Sequence, residues 1–314
     1  MTKKKLVIVD ASSLIYRAFY AFPPIKSREG DLSNAVYGFI MLFLKTIKDH
    51  NPDFITVVYD VKGPSFRHKE FTDYKANRAK TPDELIKQIP KIKEFVDNLN
   101  IKSFEKQDFE ADDIIGTIVS LSSSDIEIII ISNDKDSLQL VDQRTTVYTP
   151  NSGSKVAIYN REKVIEKYQG ITPDQFADFR ALTGDPSDNI PGVAGIGDKT
   201  AIKLINQFKN IENLYNAIET SSICNLQANK KKGLTKSILE KLIKDKKNAF
   251  FSKKLSQIRR DVEIDFDLKE TSFEKYDFQK AKTFIKKLGF KMLITRLPDY
   301  HKDQTEIPKQ KPLF

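Results

Sequence analysis

Nine carboxylates stand where a fold would bring acids together: Asp10, Asp60, Glu110, Asp112, Asp113, Asp134, Asp136, Asp185 and Asp188. Three of them close apolar runs, in LVIVD, ITVVYD and IEIIIISND, and the rest gather in EADD, DKD and DPSD. A general acid–base pair needs two carboxyls, and crowding more like charges raises their pKa values until they neutralise. Divalent cations remove that cost, and hard oxygen donors without His or Cys select Mg²⁺ or Mn²⁺. Two or more such ions would make this edge attractive to a phosphate. Each acid also has a plainer use. Asp10 suits the cap of a helix starting near Ser12, Asp112 and Asp113 suit the amino end of the helix IIGTIVSL, Asp60 suits a loop and Asp188 a turn in DPSDN.

Two further patterns concern phosphate. In GDPSDNIPGVAGIGDKTA, Gly184 to Ala201, the glycines Gly192, Gly195 and Gly197 would let backbone amides approach a phosphate at the start of a helix near Asp198, with Lys199 and Lys203 adding charge. Bare acids beside such a turn would repel its ligand, so either a cation reverses their sign or the turn binds nothing anionic. A plain helix-connecting turn fits the bare GxGxxA spacing equally well. The segment SFRHKEFTDYKANRAK, Ser65 to Lys80, interleaves Arg67, Lys69, Lys75, Arg78 and Lys80 with Phe66, Phe71 and Tyr74. Cations grip phosphates and aromatic faces stack on unpaired bases, while an amphipathic surface helix would show the same alternation.

The elements that must position these groups change character along the chain. The three acid-terminated runs read as buried parallel strands, and residues 34–50, 82–99 and 111–121 as the helices between them. Such sheets hold ligands at the carboxyl ends of their strands, where these acids lie. After about Tyr159 the pattern becomes helical, with segments near 160–168, 173–184, 198–208, 235–249 and 277–288. The expected fold is α/β, a central mostly parallel sheet flanked by helices, followed by a helical region. Residues 229–232 read as a solvated loop and 298–314 as a flexible tail.

Composition sets outer bounds. The chain has 314 residues and carries 52 Lys plus Arg against 43 Asp plus Glu, a net charge of +9 that suits a polyanionic partner. One cysteine, Cys224, permits no internal disulfide, and three histidines with that thiol make a poor zinc site. A reducing, cytoplasmic compartment fits. The opening apolar run is broken by Asp10 and Arg17, unlike a signal peptide, and no stretch is apolar enough to suggest a membrane partner.

In order and spacing, VDASSLIYRAFYA, FRHKEFTDYKANR, EADDIIGT, NDKDSLQLV and GDPSDNIPGVAGIGDKTA strongly resemble the 5′ nuclease domain of bacterial DNA polymerase I. They also resemble phage exonucleases and, more distantly, flap endonucleases. The resemblance runs from about residue 4 to residue 297. It implies that Asp10, Asp60, Glu110, Asp112 and Asp113 surround one metal and that Asp134, Asp136, Asp185 and Asp188 belong to a second. It makes YKANR part of an arch at about 64–82, where Lys75 and Arg78 contact the phosphate near the cut and Tyr74 stacks, and it gives Arg17 a DNA-binding role. The glycine turn becomes a helix-three-turn-helix at about 184–208 that grips duplex, with a monovalent ion such as K⁺ on its carbonyls. Implied domains are 1–160, a nuclease core with the arch, and 161–297, a helical DNA-binding region. The implied activity is metal-dependent 5′-3′ exonuclease and flap endonuclease cleavage, on DNA with 5′ ends, nicks or flaps and on RNA primers. A non-catalytic nucleic-acid-binding relative would lack some of the nine acids, and a small PIN-type ribonuclease would lack the arch and the glycine turn. The tail ends QKPLF, and Gln310, Leu313 and Phe314 resemble the short motif by which bacterial replication proteins dock on the sliding clamp.

Overall fold

A computed structural model of the chain describes residues 3–150, 157–220 and 234–298. Its strands are β1 (Lys5–Asp10), β2 (Phe54–Val58), β3 (Ser103–Phe104), β4 (Glu127–Ile131), β5 (Thr145–Thr149) and β6 (Ala157–Tyr159). They form one sheet in the order β3-β2-β1-β4-β5-β6, parallel except for β6. This is the doubly wound order, whose crevice opens at the carboxyl ends where the winding reverses beside β1. The register Val9↔Val57 and Val9↔Ile131 brings the ends of β1, β2 and β4 level, so Asp10, Asp60 and Asp134 emerge at that crevice.

Side chains alternate along each strand, and both faces are covered. Val7, Val9, Ile55, Val57, Ile129 and Ile131 join one core with α1 (Ala11–Ala21), α2 (Asn34–His50) and later helices. Leu6, Ile8, Val58, Ile128 and Ile130 join the other. Between the first helices and β4 the chain forms α3 (Phe66–Glu70), α4 (Asp83–Ile86), α5 (Ile89–Asn98) and α6 (Ala111–Leu121). The sheet-flanking helices match the expected α/β class. The strands β3, β5 and β6 carry no strong apolar run of their own and take their place from pairing. The helix expected over 82–99 is broken at Lys87–Gln88, because the buried Gln88 carboxamide accepts from the Ala35 amide at 2.8 Å and so caps α2.

The second half supplies α7 (Arg161–Lys167), α8 (Phe176–Thr183), α9 (Asp198–Phe208), α10 (Ile211–Thr220), α11 (Lys236–Lys244), α12 (Lys246–Ser256), α13 (Phe278–Leu288) and α14 (Lys291–Ile294). Helices α8 to α12 build a third core around Leu182, Val193, Leu204 and Leu214. The expected helix over 235–249 is instead two, parted at Asp245, whose carboxylate accepts from the Ala194 amide at 2.9 Å and ties the break to the glycine turn. Helices α13 and α14 return to the first face of the sheet beside α2 and α5. Gly116 on α6 marks a tight seam, since a Cβ there would lie 2.5 Å from the Arg259 carbonyl oxygen. Among the described residues no helix is long and apolar enough to cross a membrane.

Candidate metal centre and nucleic-acid interface

Asp10 ends β1 and caps α1, with Oδ1 accepting from the Ser13 amide at 3.0 Å and Oδ2 from the Ser132 hydroxyl at 2.7 Å. The plain capping use and a place at the crevice are therefore held by one residue. Asp60 is exposed, and it orients the start of α6 by accepting from the Ala111 amide at 2.8 Å. Asp134 turns the chain after β4 by accepting from the Asp136 amide at 2.9 Å. Asp112 faces the same space, with Ser137 at 3.4 Å.

These five acids, Asp10, Asp60, Asp112, Asp134 and Asp136, act on one another. Burial first, then Asp60, pushes the Asp10 carboxyl up to about 7. Burial and then Asp134 push Asp136 to about 7 against the pull of Arg180, and burial with four neighbouring acids raises Asp112 well above its ordinary range. The repulsion crosses the division into two ligand sets implied by resemblance. Among the described residues no three carboxylates converge into a ready-made cage. Even so, the donors are all hard oxygens, crowded until protons must stand in for missing positive charge, and that chemistry fits divalent ions.

The other acids are held by cations of the chain. Lys75 Nζ lies 3.0 Å from Glu110 and 3.9 Å from Asp188, and Arg78 pairs with Asp188. Burial raises the Glu110 carboxyl, yet Lys75 and Arg67 outweigh it and hold the group below its usual value. The expected arch is a five-residue helix capped by extended Phe71 and followed by turns, in which Lys75 adopts φ +57° and its amide donates to the Asp188 carbonyl at 2.9 Å. Tyr74 does not offer its ring for stacking. It is 3% exposed, and its hydroxyl lies 3.1 Å from both the Glu110 and the Asp188 carboxylate, donating to one or the other.

Asp113 has different work from that expected. Its Oδ2 accepts from Arg67 Nη1 at 2.6 Å and the Glu110 amide at 3.2 Å, and its Oδ1 from Arg67 Nη2 at 2.8 Å and the Arg259 amide at 2.9 Å. Four donors occupy the available lone pairs of a wholly buried carboxylate, which leaves none for a metal. Arg67 in turn donates to the carbonyls of Leu255 at 2.7 Å and Gln257 at 2.9 Å. It thereby fastens α3 and α6 to the end of α12. Sequence reasoning counted Arg67 among surface cations and passed over Arg180, which reaches Asp136 at 3.2 Å and Asp185 at 2.8 Å from α8. Its position five residues before Asp185, one helical turn from DPSD, is the signal that was there to read.

The glycine turn lies on the α8–α12 side. Gly192 (φ +63°) is there for close packing: a Cβ would meet the Gly184 nitrogen at 2.3 Å, and its amide donates to the Ser252 hydroxyl at 2.9 Å, so this amide is not offered to a phosphate. Gly195 (φ +76°) and Gly197 are exposed, with open space above Gly197 at the start of α9. Lys199 and Lys203 are exposed and make no ion pair among the described residues. Lys241 Nζ lies 3.0 Å from the Gly195 carbonyl, so a cation of the chain itself faces that oxygen. Arg17 is half-buried on α1, two turns from Asp10. Gln310, Leu313 and Phe314 lie outside the described residues.

The sequence matches the family described as 5′-3′ exonuclease, N-terminal resolvase-like domain, over residues 5–169, and that described as 5′-3′ exonuclease, C-terminal SAM fold, over 171–279. DNA polymerase I of Bacillus subtilis (strain 168) is 41% identical over 297 residues, covering 94% of this chain and 32% of that protein. DNA polymerase I of Bacillus caldotenax is 39% identical over the same length, with the same coverage. The chain thus spans about a third of the length of these curated relatives. Among solved structures, the T5 D15 protein co-crystallised with metal ions superposes with a TM-score of 0.64 at 19% identity, covering 95% of this chain and 99% of that one. The catalytic core of Rad2 in complex with DNA substrate gives 0.61 at 18%, covering 95% and 92%. These likenesses establish the fold.

The Arg67–Asp113 pair generates a stability prediction. Arg67→Met should cost about 3–5 kcal/mol in urea unfolding, because it strands a buried carboxylate. The double variant Arg67→Met/Asp113→Leu should recover part of that loss; equal instability of the two would show that the pair is not the source.

Proposed function

The chain belongs to the 5′-3′ exonuclease family, and from that membership we propose that it is a divalent-metal-dependent 5′-3′ exonuclease and flap endonuclease. It hydrolyses DNA phosphodiesters near 5′ ends, nicks and flaps, including those carrying RNA primers, in replication and repair in the cytoplasm. The observation that carries this reading is the set of mutually repelling carboxylates at the sheet crevice, with Lys75 and Arg78 against its edge. Residues 1–160 supply most of the chemistry, with the arch at about 64–82, and residues 161–297 the grip on duplex together with the acids Asp185 and Asp188.

Asp10, Asp60, Asp112, Asp134 and Asp136 would hold Mg²⁺ or Mn²⁺, joined by Glu110, Asp185 and Asp188 once their cationic partners turn to substrate. Bound there, such ions supply Lewis acidity that ionises water and stabilises a departing oxygen. The chain's own part is to hold the phosphodiester. Lys75 and Arg78 trade carboxylates for the scissile phosphate, while Gly195, Gly197, Lys199 and Lys203 take phosphates farther along the duplex, and Arg17 supports the strand near α1. A K⁺ ion at the glycine turn would share the Gly195 carbonyl with Lys241.

Single-turnover cleavage of a 5′-labelled flap in Mg²⁺, with EDTA as the control, tests this division of labour. Asp188→Ala should abolish most cutting while retaining DNA binding in Ca²⁺. Lys75→Ala should slow cutting by about 10²-fold with little change in affinity. Lys199→Ala should instead weaken binding and lower its salt slope by about one. Loss of affinity alone in both lysine variants would contradict the assignment, and metal-independent cutting would contradict the whole reading.

For the chain end we propose that Gln310, Leu313 and Phe314 dock on the bacterial sliding clamp, the two apolar residues filling a pocket and the glutamine bonding at its rim. Calorimetric titration of the full chain with clamp should give weak binding that disappears on deleting residues 310–314. Indistinguishable curves for the two forms would refute it.

A further inference from the structure

Along the β3 edge of the sheet a cavity of about 520 Å³ opens between that strand, α5 and residues 262–267, and none of the nine acids lines it. Strand β3 is two residues long and stands at the end of the sheet beside β2. The Lys102 and Phe104 carbonyls turn inward and accept from the Val57 and Tyr59 amides, at 3.3 and 2.9 Å. Ser103 and Glu105 therefore turn their amides and carbonyls outward, and among the described residues these groups make no backbone hydrogen bond. Open edges are ordinarily covered or guarded by charge. Here the lysines that would guard the edge are engaged, Lys93 by Glu105 and Lys102 by Glu270.

The opposite wall has the same unmet need. Residues 262–267 read VEIDFD and alternate as a strand does, with Val262 buried, Ile264 and Phe266 half-buried, and Glu263, Asp265 and Asp267 exposed. The wall is fixed at one end by the Val262 amide, which donates to the Thr117 hydroxyl at 3.1 Å, and at the other by the Phe266 ring, 5.9 Å from that of Phe104. Between these points Glu263, Ile264 and Asp265 make no backbone hydrogen bond among the described residues. Two backbones of strand character thus flank one cavity without pairing across it. Tyr59, 4% exposed and directly after β2, lines the same cavity, and its buried hydroxyl finds no hydrogen-bond partner among the described residues. An orphaned hydroxyl and unbonded main chain on two sides suit a polar, extended ligand that brings its own amides and carbonyls.

Charge selects the ligand. Beyond the two ion pairs, Asp97, Glu263 and Asp265 stand against Lys106 as the charges of the cavity that have no ion pair among the described residues. In a chain of net charge +9, this local excess of acid disfavours phosphate and favours cationic side chains. We propose that the β3 edge takes up an extended, lysine- or arginine-bearing segment of a partner protein as an added strand. Its main chain pairs with Ser103 and Glu105, and its basic side chains meet Glu263 and Asp265. The edge from Lys102 to Lys106 spans roughly 16 Å at the rise of a strand, room for about five residues of such a segment. Docking here leaves the nine acids and the glycine turn free.

A fluorescein-labelled octapeptide of alternating Lys and Val tests this on the full chain in Mg²⁺, with anisotropy reading affinity and amide hydrogen exchange reading location. The peptide should bind, slow exchange at the Ser103 and Glu105 amides, and lose about tenfold in affinity for Glu263→Lys/Asp265→Lys, a change at two exposed positions. An octapeptide of alternating Lys and Pro carries the same charge without the amides of a strand and should bind about tenfold more weakly. Equal affinity of the two peptides would reduce binding to charge attraction and overturn the proposal. Absence of binding, unchanged affinity of the double variant, or protection confined to the start of α6 beside the carboxylates would overturn it as well. Sedimentation of the free chain should show a monomer; a dimer that the Lys-Val peptide dissociates would make a second copy the occupant and contradict the partner assigned here.

Discussion

Like-charge repulsion among carboxylates at the ends of parallel strands is the constraint on which the rest of the structure depends. The register of β1 with β2 and β4 forces Asp10, Asp60 and Asp134 to one edge, and the amino end of α6 adds Asp112. In this crowding Asp10 and Asp136 hold protons up to about pH 7, so the folded chain gives up stability as pH rises from the ordinary carboxylate range through neutrality. Buried strands on both sides of the edge resist the relaxation that would spread the charges apart. The fold stores a demand for positive charge at one place, and either cations of the chain or ions from solution can meet it.

The same constraint explains where the basic residues lie. Lys75 and Arg78, from the turns after α3, and Arg180, from α8, rim the acids and neutralise Glu110, Asp188, Asp185 and part of Asp136. These contacts are partly solvent-accessible, which suits the exchange from carboxylate to phosphate proposed above. Arg67 and Asp113 are the opposite case. Buried and fully bonded, they hold α6 to the segment after α12, and α12 packs in the core that carries the glycine turn. Arg67 and, from α8, Arg180 thus both tie the helical second half to the acid crevice.

Much of this was legible in the sequence because strand-terminal acids and β-rich apolar runs are local signals. The three principal strands, α2, α6, α9 and α13 follow from periodicity and capping residues alone. What was not legible depends on contacts between distant segments. Nothing local distinguishes Asp112, which faces the crevice, from Asp113, which faces Arg67 forty-six positions away. Tyr74 reads as an exposed aromatic among cations, but its burial comes from Ile190 and Leu255 packing on it. Gly192 and Gly197 look equivalent by spacing, yet one serves backbone packing and the other stays open. The breaks at Gln88 and Asp245 arise because each side chain serves a neighbouring element that the sequence does not place beside it.

The central claim, that carboxylate repulsion at the crevice is relieved by divalent ions, is tested most directly by counting protons. Calorimetric titration of Mg²⁺ into the full chain, repeated in buffers of different ionisation enthalpy, measures protons released per ion bound. With Asp10 and Asp136 near 7 and Asp112 raised, binding at about pH 6.5 should expel protons, release should fade by about pH 8.5, and apparent affinity should climb between them. Binding with no proton release and the same affinity at both pH values would contradict the account.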